Sequence, residues 1–210
     1  MLKICRILHW GLIDYAVALQ RQKTLVDEVI GGRDAVLVLC EHPKVITLGQ
    51  KFHEANLLWS RAELAAQGFQ ISPADRGGDV TMHVPGQLVF YPILDLKRAG
   101  IGLRSYLRGL EQVAVDLLAD FGIVAAGSDN RRGVWVDNSK IASIGIGIKR
   151  WVTYHGMSVN VSADLDLFKV IRPCGLEVRM TSMERFLGSA PAMTEVMAGA
   201  EKQFKKVFAF

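Results

Sequence analysis

Amphipathic helical stretches alternate along this chain with short apolar runs, and this alternation strongly constrains its fold. Residues 12–30 and 103–121 carry apolar side chains at helical spacing, and each stretch is followed by a glycine. Shorter helices are predicted at 60–67 and from about 194 to 208. The apolar runs predict strands at 35–39, 45–49, 87–95, 133–136, 140–148 and 152–161. Hairpin-like neighbours among them favour a single α/β (α+β) domain over residues 1–210, with a mixed β-sheet rather than a doubly wound parallel one.

Composition indicates a sizeable core and a reducing compartment. Half of the 210 residues are apolar, yet no apolar run approaches the roughly 18 residues that a membrane-spanning helix needs. The N-terminal stretch lacks the pattern of a secretory signal, and three widely spaced cysteines argue against a disulfide framework. We therefore expect a cytoplasmic protein that does not associate with membranes.

The net charge of +4 is mildly basic, and the lysines and arginines are scattered rather than clustered on one element. Nucleic-acid binding is therefore not expected. The basic residues form either an ordinary solvated surface or a field that steers an acidic protein partner. The five histidines show no zinc-ligand spacing, so no metal site is predicted. The chain also lacks a glycine-rich phosphate-binding motif.

The three cysteines differ in their surroundings. Cys5 and Cys40 lie within apolar stretches, where a free cysteine usually acts as a small, buried, inert hydrophobe. Cys174 stands between Pro173 and Gly175, on a predicted turn with arginines nearby in the sequence. A thiol in such a place is better exposed and more easily ionised, which makes Cys174 a candidate nucleophile.

Residues 76–87 form the densest unusual segment. The adjacent Gly77 and Gly78 let the backbone approach a ligand closely or adopt positive φ, and Thr81 and His83 follow on a short extended piece. The segment is either an ordinary glycine turn before a strand or a ligand-cradling loop whose amides and His83 face a pocket.

Alternation along residues 140–148 predicts a strand with two different faces. Lys140 shares one side with Ala142 and three isoleucines, whereas Ser143 and Gly145 on the other side leave a slot for a slender apolar ligand. Lys140 either reaches out to water or is desolvated. In the second case its pKa falls and it becomes a usable base.

Residues 154–161 carry two polar candidates, His155 and Asn160. A lone histidine among apolar neighbours is most often a hydrogen-bonded core residue, and Asn160 fits a structural hydrogen-bonding role equally well.

Taken in order, these segments resemble the lipoyl(octanoyl) transferase family, the octanoyl-[acyl carrier protein]:protein N-octanoyltransferases. The resemblance covers nearly the whole chain and rests on residues 15–22, 41–43, 45–49, 76–93, 133–136, 140–145, 155–156, 160–161 and 173–175. It implies a fold similar to the catalytic domain of biotin and lipoate protein ligases.

The resemblance also implies an activity. Octanoyl would move from octanoyl-acyl carrier protein to a lysine of lipoyl domains, in 2-oxoacid dehydrogenase subunits and the glycine cleavage H protein, through a cysteine thioester and without a cofactor. This would be the first step of endogenous protein lipoylation. The family pattern places the nucleophile at Cys174 and the residue that lowers its pKa at Lys140. Acyl-group contacts are implied at Arg76, Gly77, Gly78, Asp79, Val80, Thr81, Met82, His83, Ser143, Ile144, Gly145, Gly156, Met157 and Ser158.

One position departs from the family pattern. The family usually reads His-Gly-Pro-Gly-Gln, whereas this chain has Val84 after His83. If the family's glycine is needed because the backbone there has a positive φ, Val84 strains the loop. If the glycine is needed because another group approaches it closely, the Val84 side chain narrows the path of the acyl group or of the acceptor. Valine itself tolerates the extended backbone that a following proline imposes.

Three other activities are compatible with the same residues. An ATP-dependent lipoate-protein ligase would activate a free acid and would not need Cys174. An acyl-thioesterase would use water as its acceptor and release free octanoate. A non-catalytic acyl-chain or carrier-protein binder would keep its affinity when Cys174 is replaced by serine.

Overall fold

A computed structural model of the protein describes residues 4–128, 131–172 and 178–210. The predicted nucleophile Cys174 lies outside these described residues, together with its neighbours Pro173 and Gly175. The strands are β1 (Cys5–Leu12), β2 (Ala35–Glu41), β3 (Val45–Leu48), β4 (Gln70–Pro73), β5 (Val80–His83), β6 (Gln87–Ile93), β7 (Ala126–Gly127), β8 (Val134–Val136), β9 (Ser139–Lys149), β10 (Val152–Asn160) and β11 (Arg179–Met180). The α-helices are α1 (Tyr15–Ile30), α2 (Arg61–Ala66), α3 (Leu96–Ala99), α4 (Leu103–Asp120), α5 (Met183–Leu187) and α6 (Met193–Phe208).

Within the described residues the strands form a large and a small sheet. The large sheet runs β1-β2-β6-β10-β9-β8-β7, with β11 added beside β9. Strand β1 is parallel to β2 and β11 is parallel to β9, whereas the other pairs are antiparallel. The small sheet runs β4-β3-β5 and is also mixed. The predicted mixed-sheet α/β architecture is therefore confirmed.

Helix α1 shows how local sequence sets an element boundary. The Asp14 carboxylate accepts hydrogen bonds from the amides of Ala16 and Val17 at 2.8 and 3.1 Å, so it caps the helix at its first turn. The predicted start at residue 12 was therefore too early. Residue 12 instead ends β1, a strand that the sequence reading did not predict.

Two apolar layers cover the large sheet. Along β2, Ala35, Leu37 and Leu39 pack toward α4 and α6, whereas Val36 and Val38 pack toward α1. This alternation follows from the two-residue period of a strand whose faces are both buried. A third apolar cluster lies under the small sheet. No described helix is long and apolar enough to cross a membrane.

Candidate active site

A cavity lies where the loop before β5 meets the central strands β9 and β10. Its lining residues are Tyr15, Arg76, Gly77, Gly78, Asp79, Val80, Thr81, His83, Val89, Tyr91, Lys140, Ser143, Ile144, Gly145, His155, Gly156, Met157 and Ser158. Segments that are far apart in the sequence thus meet around one space. Lys140 and all of the residues expected to contact the acyl group except Met82 line it.

The side chains of Met82 and Val84 do not line the cavity. Both side chains are buried in the apolar cluster under the small sheet, with Ile46. Val84 does not have a positive φ; Gly86, two residues later, takes that conformation at +86°. Val84 therefore neither strains the loop nor lines the cavity, and Gly86 provides the turn.

A β-bulge brings Lys140 to the cavity. Val134 pairs with Ala142 but Trp135 pairs with Lys140, so Ile141 is an extra residue on β9. Ile141 and Ala142 consequently both belong to the apolar core. The simple alternation that placed Lys140 opposite Ser143 and Gly145 is wrong, because the bulge puts all three at the cavity.

The Lys140 side chain is buried, with 6% of the surface of this residue exposed. Its Nζ lies 5.6 Å from the centre of the Trp135 ring, within the range of a cation–π contact. Met180 pairs with Lys140 across β11 and β9, and the Thr181 amide donates to the Lys140 carbonyl at 2.9 Å. Of the two alternatives for Lys140, the structure therefore favours the desolvated side chain over one that reaches out to water.

Arg76 anchors the glycine loop through Thr47. Its Nη2 donates to the Thr47 carbonyl and hydroxyl oxygens at 2.7 and 2.8 Å, and its Nε donates to the same hydroxyl at 3.2 Å. The Gly77 amide donates to the Ile146 carbonyl at 2.8 Å and ties the loop to β9. The charged side chain of Arg76 is buried, so these bonds offset its loss of hydration.

Asp79 and Gly49 fix the other end of the loop. The buried Asp79 carboxylate accepts from the amides of His53 and Val80 at 3.2 and 2.7 Å, and from the Asn56 side chain. A Cβ on Gly49 would overlap the Gly78 carbonyl oxygen, so glycine is required there for close approach of two backbones.

Three buried rings pack together at the cavity: His83 and Tyr91 line it, and His42 lies behind them. His42 Nδ1 donates to the Ile13 carbonyl at 2.6 Å, so its Nε2 accepts from the Tyr91 hydroxyl at 2.7 Å. His83 Nδ1 lies 3.0 Å from Gln87 Oε1. Burial lowers the pKa of His42, and burial, with His42 nearby, lowers the pKa of His83 to about 3.

His155 joins the cavity to α1. Its Nε2 lies 2.8 Å from Asp75 Oδ1, and its backbone amide donates to Gln22 Oε1 at 2.8 Å. Hydrogen bonding from His155 and Lys23 holds the pKa of Asp75 well below its usual range, whereas burial lowers the pKa of His155. The prediction of a hydrogen-bonded core histidine is confirmed.

Sequence reasoning missed several groups at this site. Tyr15 and Tyr91 line the cavity, and Thr47 supports Arg76 from behind. Thr47 carries a visible signal, since it is a polar residue inside the apolar strand β3. The two tyrosines carry none, because their roles depend on how α1 and β6 pack.

The two described cysteines fit the inert role predicted for them. Cys40 is fully buried and Cys5 is partly buried, and both are free thiols. Burial raises the pKa of Cys5 to about 12 and that of Cys40 further. Neither is a reactive thiolate at neutral pH.

The fold is that of lipoate and biotin protein ligases. A lipoate-protein ligase A bound with ATP superposes with a TM-score of 0.81 at 17% identity, over 97% of this chain and 85% of that one. The Aquifex aeolicus biotin protein ligase gives a TM-score of 0.56 at 12% identity, over 100% and 70% of the two chains. These likenesses establish the architecture.

Sequence comparisons identify the family. The model of the lipoyl protein ligase A/B catalytic domain matches residues 14–205. The octanoyltransferase of Nitratidesulfovibrio vulgaris (strain DSM 19637 / Miyazaki F) is 44% identical over 97% of this chain and 94% of its own length. That of Solibacter usitatus (strain Ellin6076) is 45% identical over 98% and 94%. The chain therefore belongs to the lipoyl protein ligase A/B catalytic-domain family and is an acyltransferase.

Proposed function

We propose that this chain, as one catalytic domain over residues 1–210, transfers octanoyl from octanoyl-acyl carrier protein to a lysine of lipoyl domains. Its acceptors would be 2-oxoacid dehydrogenase subunits and the glycine cleavage H protein, and its compartment the cytoplasm. Two relatives above 40% identity are named octanoyltransferases. A structural neighbour from Thermoplasma acidophilum is described with its E2 lipoyl domain.

One observation carries the proposal: the buried Lys140 lines the same cavity as nearly all of the residues expected to contact the acyl group. The small or apolar residues Ser143, Ile144 and Met157 line this cavity, which suits an uncharged, slender chain. Met180, six residues after Cys174 in the sequence, pairs with Lys140. This supports Cys174 as the nucleophile that works with Lys140.

The reaction proceeds in two acyl transfers. The Cys174 thiolate attacks the carrier thioester carbonyl; the bond to the carrier sulfur breaks, and the departing thiolate takes a proton from Lys140. The acceptor ammonium then returns a proton to Lys140, and its nitrogen attacks the enzyme thioester. The Cys174 thiolate leaves, and the nitrogen gives its remaining surplus proton to water, which leaves the neutral amide. The second transfer is downhill because an amide is more stable than a thioester.

Proton transfer is the larger contribution of Lys140. A thiol of pKa about 8.5 is only ~3% thiolate at pH 7, and lowering its pKa to about 7 raises the thiolate roughly 15-fold. Nucleophilicity falls in parallel with a slope of about 0.4–0.5, so the net gain is about threefold. General acid–base assistance contributes about 10²–10⁴-fold.

Intact-mass analysis tests this function. The protein is mixed with octanoyl-carrier protein without ATP, then with an apo lipoyl domain. We expect octanoyl on Cys174 and then on the acceptor lysine. Cys174→Ser should abolish the loading, whereas the matched control Cys40→Ser should retain it.

The other activities give different outcomes in the same experiment. A requirement for ATP and free acid would indicate a ligase, and release of free octanoate with an unmodified lipoyl domain would indicate a thioesterase. Octanoyl-carrier binding that survives Cys174→Ser, without turnover in the unaltered protein, would indicate a binding protein. Each of these results contradicts the transferase.

A further inference from the structure

A buried chain of hydrogen bonds runs from His83 at the cavity to the backbone of Thr181. Gln87 Oε1 lies 3.0 Å from His83 Nδ1, and Gln87 Nε2 donates to Asn160 Oδ1 at 2.9 Å. Asn160 Nδ2 then donates to the Thr181 carbonyl at 2.9 Å. All four residues are buried, so each polar group depends on these hydrogen bonds for its partner.

The Thr181 carbonyl determines which group donates and which accepts in each of these hydrogen bonds. The Thr181 carbonyl can only accept, so the amide group of Asn160 must face it with nitrogen. Asn160 Oδ1 therefore faces Gln87 and accepts a hydrogen bond from Gln87 Nε2. The remaining oxygen of Gln87 faces His83, and an amide oxygen can only accept. His83 must therefore carry its proton on Nδ1.

The rest of the imidazole is enclosed except at the cavity. The Tyr15 ring stacks against it with planes 20° apart and centroids 6.3 Å apart, and the His42 centroid lies 5.5 Å away. His83 lines the cavity, and among the described residues no hydrogen bond is made to its Nε2. Burial favours the neutral ring, which leaves a lone pair on Nε2.

We propose that Gln87 and Asn160 are positioning residues that hold His83 in the Nδ1–H tautomer, so that Nε2 accepts a hydrogen bond from the amine of the acceptor lysine. This role rests on the proposed function and adds to it. Lys140 exchanges the proton, whereas His83 orients the nitrogen that attacks. The contact forms only in the second acyl transfer, because the carrier thiol leaves before the amine arrives.

Nitrogen-15 NMR tests the tautomer without any substrate. Two-bond proton–nitrogen correlations distinguish Nδ1–H from Nε2–H rings, and the His83 signal is the one lost in His83→Asn. We expect Nδ1–H in the unaltered protein and a mixture, or Nε2–H, in Gln87→Met. An Nε2–H ring in the unaltered protein, or an unchanged tautomer in Gln87→Met, overturns the proposal.

Two further variants make the test specific. Gln203 is another buried glutamine, bonded to Asp120 rather than to the site, so Gln203→Met should leave the His83 tautomer unchanged. Gln87→Glu keeps an acceptor for Nδ1 and adds a negative charge. This variant should retain the Nδ1–H tautomer. It should also raise the pKa of His83, because the added negative charge opposes the lowering of that pKa by His42, Arg76 and His155. An unchanged titration of His83 contradicts the contact, and this variant serves even if Gln87→Met does not fold.

Kinetics tests the link to the amine. Gln87→Met should slow octanoyl transfer to the lipoyl domain about tenfold, while loading from the carrier changes less than about twofold. Equal slowing of both transfers would contradict a contact specific to the amine. If the unaltered protein takes up no octanoyl at all, the proposed function fails, whereas the NMR result still decides the tautomer.

Discussion

Lys140 pairs with Trp135 directly beside a β-bulge, and its Nζ lies 5.6 Å from the centre of the indole ring. The bulge places a buried lysine at the cavity on a strand whose next residues, Ile141 and Ala142, face the core. The amine nitrogen of Lys140 is thereby held by the sheet itself rather than by a loop. Such placement suits a group that exchanges protons at a fixed position.

Removal of Lys140 should slow acceptor acylation far more than threefold. In Lys140→Ala we expect a loss of about 10²-fold or more, because general acid–base assistance disappears. The rate is followed by intact mass of the lipoyl domain. Lys149→Ala is the matched control, since Lys149 lies on the same strand but is exposed and paired with Asp27. A loss of threefold or less in Lys140→Ala would exclude the proton-exchange role.

Thr47→Val should destabilise the folded protein by about 1–3 kcal/mol, because two buried N–H donors of Arg76 lose their acceptor. Urea unfolding measures the change. Thr24→Val provides the control, since the exposed Thr24 hydroxyl bonds only weakly to Gln20 at 3.4 Å. Equal stabilities of the two variants would mean that Thr47 does not support Arg76.

Acid should weaken the fold through His83. Its pKa is lowered from 6.5 to about 3 on folding, so between these values the unfolded chain binds a proton that the folded chain does not. Stability present above pH 6.5 is therefore lost as the pH falls, with a slope of up to about 1.4 kcal/mol per unit from this group. His83→Gln should flatten the profile measured by urea unfolding. The exposed His9 offers the comparison, and identical profiles for His9→Gln and His83→Gln would contradict the assignment.

Gly156 should not tolerate a side chain. A Cβ there would overlap the Phe90 carbonyl oxygen and lie 2.7 Å from Pro92 Cδ, because β6 and β10 approach closely. Gly156→Ala should lower the free energy of unfolding by about 1–3 kcal/mol. At Gly102 no atom lies within 4 Å of the added Cβ, so Gly102→Ala should change stability far less. Thermal unfolding compares the two, and similar melting temperatures would refute the close approach.

Turnover should fall as salt rises from about 0.01 to about 0.15 M, if the basic excess steers acidic partners. The control is a small neutral octanoyl thioester, whose approach to the enzyme involves no net charge on the donor that salt could screen. Loading from the carrier protein should be salt-sensitive and loading from the small thioester should not. Equal salt dependence for the two donors would argue against steering.

The sequence alone determined most of the secondary structure and the mixed sheet, because helical spacing and apolar runs are local patterns. It also predicted the start of α2 near residue 60, where Ser60 and Glu63 form a capping box. Strand β1 was missed because its burial is uneven and its alternation is broken at Gly11, where the pairing with β2 shifts.

Only the tertiary structure decided which residues share the cavity. The bulge at Ile141 moved Lys140 to the side of Ser143, which no alternation rule could show. The hydrogen bonds between Thr47 and Arg76, and the series of hydrogen bonds that links His83 to Thr181, join residues far apart in the sequence. Such contacts depend on how strands pair and sheets pack, and this information resides in the whole chain rather than in any local stretch.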